Sequence, residues 1–542
     1  QGPGSDVDVA TANAGDISVV KISADDEVKL EAGGSILADA QTTRLSGTSA
    51  TLTAGSAIGT VADPLETVVS TLSATANAGR LSLENYGDLA LTSATATGGD
   101  LELRNSGTMT LNTVTAAGQT ATVHSNGTIT DGNGAALNIL ADTLFLSSGL
   151  HVGAPGAGNA IDVDVASLNV PPTYGAVYIN HLGATALNVV SVEAVGSGSD
   201  VELTAAGDIN LGLVSAKGDD VVIVSGNAIT DANGPDVNVV ADTLDITGPG
   251  GIGLADPLET QVNQLSSSGD AVIANDGPLA LTEAALEGGS SAFIAETITI
   301  LDIADNQADL VNDVSLDLST PAGHIVFLDT NDKIVASGTG TVRIDAGSAT
   351  AGSGGVAIIG DIEAADSDIA IMADSHISIG LLDAGAGDIS VLSNTGVILD
   401  GNGALGNIIA RNLSLRGRLP TAREAELHTT HSIADAHAHD TEAATKKTLH
   451  ETTDATAVVL EQAEQTQIEM RDAKQVELDD ITVEVDELAA RVAPLATTIE
   501  VMERTVQGMT VVADVLNLVG SIAQAVPLTG DGGLLGTAAA FE

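Results

Sequence analysis

Apolar and polar residues alternate along most of this chain, and the alternation itself recurs with a 20-residue period. Leu81 and Leu83 return as Leu101 and Leu103, then as Ala121 and Val123. Leu89 and Leu91 return as Met109 and Leu111, then Ile129. The same step links Val201 and Leu203 to Val221 and Ile223, Ile209 to Ile229, and Ile369 and Ile371 to Ile389 and Val391. Period-2 apolar triplets predict short strands with one buried face. Units this small have no core of their own, so each must stack on its neighbours. The pattern predicts a β-solenoid over residues 6–418: a right-handed parallel β-helix of about 20 coils, ~100 Å long at ~4.8 Å per coil.

The turns carry their own phrases. Gly-Asp precedes a strand at Gly15-Asp16, Gly99-Asp100, Gly207-Asp208 and Gly387-Asp388. Gly is expected to supply a positive φ there, and Asp to cap its own turn. A longer module runs from Thr128-Ile129-Thr130-Asp131-Gly132-Asn133-Gly134 into Leu137-Asn138-Ile139. It recurs 100 residues on, at Asp231-Ala232-Asn233-Gly234 with Val237-Asn238-Val239, and again at Asp400-Gly401-Asn402-Gly403 with Asn407. A second phrase, Ile58-Gly59 with Asp63-Pro64-Leu65-Glu66-Thr67, returns as Ile252-Gly253 with Asp256-Pro257-Leu258-Glu259-Thr260. An offset of 100 is five coils of 20, so the module keeps the phase of the coil.

The pattern changes after Gly417. Residues 419–527 read as a helical, coiled-coil segment. Leu478, Ile481, Val485, Leu488, Val492, Leu495, Ile499, Met502, Val506 and Met509 are spaced alternately by 3 and 4, an a/d seam. Pro494 lies inside it and is expected to kink the helix or turn it back as a hairpin. Residues 528–542 read as a Gly-rich tail. At the other end, Gln1-Gly2-Pro3-Gly4-Ser5 resembles the remnant of a cleaved expression tag and is set aside from the fold.

Composition narrows the function. The formal net charge is -55, and only eleven of the 18 basic residues fall in the first 418 positions. Aromatics make up 1% of the chain. Nucleic-acid binding needs a basic face and stacking platforms, and neither is present. No uncharged apolar stretch reaches the 18 or so residues of a membrane-spanning helix. There is no cysteine, which excludes disulfides and thiolate metal sites.

Candidate chemistry is sparse. The Asp-x-Asn-Gly turns, with Asp131, Asn133, Asp231, Asn233, Asp400 and Asn402, resemble the opening of a calcium loop, which makes Ca²⁺ a candidate cofactor. The competing reading is an Asx turn at a solenoid corner. His428, His431, His437 and His439 form a cluster that reads as a transition-metal site or as a solvated helix face. Asp162 and Asp164 alternate on a strand and are expected to place two carboxylates on one outward face. Carbohydrate-cleaving β-helices use such carboxylates, but in grooves with aromatic and basic residues that are missing here. No nucleophile elbow, phosphate loop or dinucleotide fingerprint occurs, so the chain is read as a non-enzyme.

The Ile-Gly…Asp-Pro-Leu-Glu-Thr phrase, the Ile-Thr-Asp-x-Asn-Gly phrase and the Gly-Asp strand starts together resemble repetitive β-helix exoproteins of the filamentous-haemagglutinin type. The resemblance covers residues 6–418 and implies a secreted bacterial surface adhesin, an extended rod that meets a host or neighbouring cell. The competing class is a self-assembling filament or surface-layer subunit, polymerising through solenoid ends and the seam.

Overall fold

The computed structural model describes residues 4–417 apart from 40–43, 157, 282–283, 287–289, 301–309, 313–314, 328–332, 337–339, 351, 365 and 402–405. The expected helical segment, its seam, the His428–His439 cluster and Asn402 lie outside the described residues.

From Val7–Ala10 to Asn412–Arg416 the chain forms a parallel β-solenoid of about 17 turns. One hydrogen-bonded system joins 42 strands, and every pairing between strands is parallel. Parallel neighbours normally need a helical crossover. Here the partner lies one coil away, and the described residues contain no helix.

The 20-residue register holds where the sequence shows it. Leu81 pairs with Leu101 and Leu101 with Ala121, while Leu89 pairs with Met109 and Met109 with Ile129. Val201 pairs with Val221, and Ile369 with Ile389. Leu101 is fully buried, as are Leu81, Leu103, Met109 and Ile129. The inner face is filled mainly by Leu, Ile, Val and Ala, with Phe293 and Phe327 also buried in it. Outward positions carry short hydroxyl ladders, such as Ser73 to Ser93 at 2.7 Å and Thr110 to Thr130 at 3.0 Å.

The expected count of about 20 coils is too high, because the period is not kept throughout. Val114 pairs with Ile139, and Ile325 with Ala357, both longer steps than the basic coil. In the first of these the register shifts between Ala116 and Thr120, and beyond the shift buried Ala121 pairs with buried Leu144.

The Gly-Asp phrases also work differently from expectation. None of Gly15, Gly99, Gly207 and Gly387 has a positive φ. At Gly99 a Cβ would stand 2.8 Å from the backbone nitrogen of Arg80, so glycine is there because adjacent coils approach closely. The aspartates do not cap their own turns either. Asp100 and Asp208 accept the backbone N–H of the residue 20 positions on, at 3.2 and 3.0 Å, Asp16 accepts that of Ser35 at 2.6 Å, and Asp388 accepts from the side-chain amide of Asn412 at 2.8 Å. Each one staples its coil to the next.

Polar side chains also enter the interior at one corner. Asn85 Oδ1 accepts from the Thr67 hydroxyl at 2.9 Å and from the Val69 N–H at 3.1 Å, while its Nδ2 donates to Asn105 Oδ1 at 3.0 Å. The second copy of that phrase repeats the contact, Thr260 donating to Asn275 Oδ1 at 2.9 Å. These groups are buried and paired, as interior amides must be.

Candidate functional site: the repeated acidic corner

The strand Ile129–Asp131 ends where Asp131 turns the chain outward. Asp131 Oδ1 accepts the Asn133 N–H at 2.9 Å, an Asx turn, and Gly134 follows with φ 67. Asn133 Nδ2 then donates to the carbonyls of Asn112 and Leu137 at 2.6 and 3.2 Å. The second copy matches: Asp231 Oδ1 accepts the Asn233 N–H at 2.9 Å, and Gly234 has φ 65. The calcium candidates of both described copies are thus the side chains of Asx turns.

The centre of each corner is an asparagine that sequence reasoning passed over. Asn138 is wholly buried. Its amide donates to Asp131 Oδ1 at 2.8 Å, Asn133 Oδ1 at 2.9 Å and Leu111 O at 2.9 Å. Its Oδ1 accepts the N–H of Asp162, one coil further on, at 2.8 Å. Asn238 repeats this with Asp231, Asn233 and Leu211 at 2.7, 2.7 and 2.8 Å, and accepts the Glu259 N–H at 2.9 Å. In the third copy Asn407 donates to Ile379 O and Gly380 O at 3.2 and 3.4 Å. The signal was present in the sequence: an Asn kept at one position of a 100-residue repeat whose outward neighbours vary.

Asp162 and Asp164 do not form the expected outward pair. Asp162 is 3% exposed, whereas Asp164 is partly exposed. Asp162 lies between Asn138 of the coil before and Asn180 of the coil after, and its Oδ1 accepts from Asn180 Nδ2 at 2.7 Å. Burial raises its pKa; the Asn180 hydrogen bond opposes the rise and the charge of Asp131 adds to it. Burial likewise raises the pKa of Glu259, and the charges of Asp231 and Asp256 push the same way. Each corner therefore faces two carboxyls across one asparagine.

Nearby, His181 is fully buried, with Nε2 2.9 Å from the Val165 carbonyl and Nδ1 without a hydrogen-bond partner among the described residues. Burial holds its pKa below the usual value.

Beyond the second corner a shallow groove crosses successive coils, with Glu259, Asp276 and Glu296 on its walls and Pro321 at its far end. No aromatic or basic side chain lines it. It lacks the groups that hold a sugar ring against a carboxylate pair. Among the described residues no three His, Cys, Asp or Glu side chains converge as a metal cluster, and no helix is long and apolar enough to cross a membrane.

No protein-family model, curated protein or solved structure matches the chain.

Proposed function

We propose that the chain is an extracellular structural or adhesive repeat protein of a bacterial cell surface, whose solenoid acts as an extended, non-catalytic rod. The observation that carries this reading is the unbroken parallel ladder of about 17 turns, ~80 Å at ~4.8 Å per turn. Its outer face is short-chained and acidic, and offers area without a concave, aromatic-lined site. Asp162 is buried, so this strand does not present two outward carboxylates. The resemblance to filamentous-haemagglutinin-type exoproteins supports the cell-surface setting. Negative-stain microscopy of the purified chain, with turnover assays on acidic and neutral polysaccharides, tests the proposal. Rods without turnover are expected; hydrolysis that depends on Glu259, Asp276 or Glu296 would overturn it.

A second reading, a filament subunit, is favoured by the last described coil. Its strand Asn412–Arg416 pairs with Asp388–Ser393, and no described strand follows it. Leu413 and Leu415 there are only partly buried. Apolar side chains left partly exposed on a strand invite strand addition by another chain or cover from elsewhere in this one. Light scattering and circular dichroism on the full chain and on a chain ending at residue 420 separate these cases. If the seam assembles the protein, truncation leaves β-structure but changes the oligomer; an unchanged oligomer excludes assembly through the seam.

A further inference from the structure

The two described acidic corners have a charge that hydrogen bonding does not complete. Asp162 is almost wholly buried, and its Oδ2 has no hydrogen-bond partner among the described residues. Asp131, held on the other side of the Asn138 amide, is close enough for its charge to bear on Asp162. In the second corner Glu259 Oε2 also lacks a hydrogen-bond partner among the described residues, although the Glu259 side chain is only partly buried, and the charges of Asp231 and Asp256 bear on it. Among the described residues no Lys, Arg or His forms an ion pair with Asp131, Asp162, Asp231 or Glu259. A carboxylate withdrawn from water without a counter-charge, with a second one beside it, is costly, and the cost is met by a cation or a proton. The orphaned oxygen recurs at the same place in two copies whose intervening loops differ in length and sequence, which argues for a common ligand.

We propose that each corner binds a divalent, oxygen-seeking cation of the calcium class, bridging Asp131 to Asp162 in the first copy and Asp231 to Glu259 in the second. The ion clips one coil to the next. The donor chemistry selects its class. The oxygens of the first corner are carboxylate, side-chain amide and backbone carbonyl: Asn133 Oδ1 accepts from Asn138 and Asn112 O accepts from Asn133. These suit a hard cation with irregular coordination better than a transition metal. With two carboxylates per site, affinity is expected near the weak end of calcium modules, about 0.1–1 mM. The second carboxylate of each site comes from the following coil rather than from the Asp-x-Asn-Gly loop, so no linear calcium motif marks it.

Titration calorimetry of the full, chelator-stripped chain with CaCl₂ tests this. Excess NaCl suppresses the diffuse binding that a net charge of -55 brings. Saturable sites are expected, with a calcium-dependent rise in melting temperature that equal ionic strength of NaCl does not give. Asp162→Asn and Glu259→Gln should each remove one site from the stoichiometry, and the double variant two. Asp164→Asn, the partly exposed neighbour, should remove none. Circular dichroism checks that each variant is folded. The proposal is overturned if the native chain shows no saturable site, or if the folded double variant binds as many ions as the native chain. It is equally overturned if the native chain ignores calcium and is stabilised instead by mild acid or by the two amide substitutions. In that case the corner holds a proton.

Discussion

Asn138→Leu tests whether the acidic corner holds the coils together. Leucine has nearly the same volume, so the change removes polar contacts and leaves little cavity. The loss can be worked through group by group. Leu111 O keeps the N–H of Gly132 at 2.8 Å. Asp131 Oδ1 keeps the Asn133 N–H, and Asn112 O keeps Asn133 Nδ2. Asn133 Oδ1 loses its donor but is partly exposed and can turn to water, so the group left stranded is the buried N–H of Asp162, whose acceptor was Asn138 Oδ1. One buried orphan donor costs about 1–3 kcal/mol, and the other lost bonds about 1 kcal/mol net, giving about 2–4 kcal/mol. Asn138→Asp keeps an acceptor for that N–H but adds a third carboxylate beside Asp131 and Asp162, so it should cost at least as much. Coils of a solenoid contact only their neighbours, and the damage should be local. Hydrogen exchange should quicken in strands Ile129–Asp131, Ile139–Ser148 and Ile161–Asp164 and remain native at Asp388–Ser393. Asn238→Leu should act independently, and the double variant should be additive to within about 0.5 kcal/mol. Denaturant melts measure the totals. The reasoning is refuted if Asn138→Leu costs less than the net worth of one ordinary hydrogen bond, about 0.5 kcal/mol at its lowest. Exchange that quickens evenly along the ladder refutes it too.

Two further predictions come from the interior. Leu101→Asp places a charge between Leu81 and Ala121 in a dry column, and should cost several kcal/mol or abolish folding, read by circular dichroism during thermal melting. His181 is held neutral by burial, its pKa lowered from 6.5. The unfolded chain therefore takes a proton first as pH falls below 6.5, and stability should drop there and level off once the folded ring also titrates. His181→Gln should flatten that part of a stability–pH curve, leaving the share due to His376, whose pKa burial also lowers. Asp162 and Glu259 have raised values, so their contribution has the opposite sign, growing as pH falls toward 3.8 and 4.5.

Much of this fold was legible in the chain because a solenoid core is built from local periodicity. The alternation in Leu101–Asn105 says which side chains point inward, and the 20-residue step says which of them stack. What periodicity does not contain is the relation between a corner and the coil above it. Gly99 looked like a turn glycine, and is glycine because Arg80 of the preceding coil presses against it. Asp100 looked like a cap for its own strand, and holds the N–H of Thr120. Asp162 read as an outward carboxylate by simple alternation, yet Asn138 and Asn180 enclose it from the coils on either side. Glu259 read only as one letter of a repeated phrase, because the Asp231 charge that bears on it belongs to an earlier coil. The inner face is decided by hydrophobic burial, which follows residue type along a strand and so can be read from one coil at a time. The charged corner is decided by through-space contact between coils of unequal length, and only the stacking of the folded chain brings those residues together.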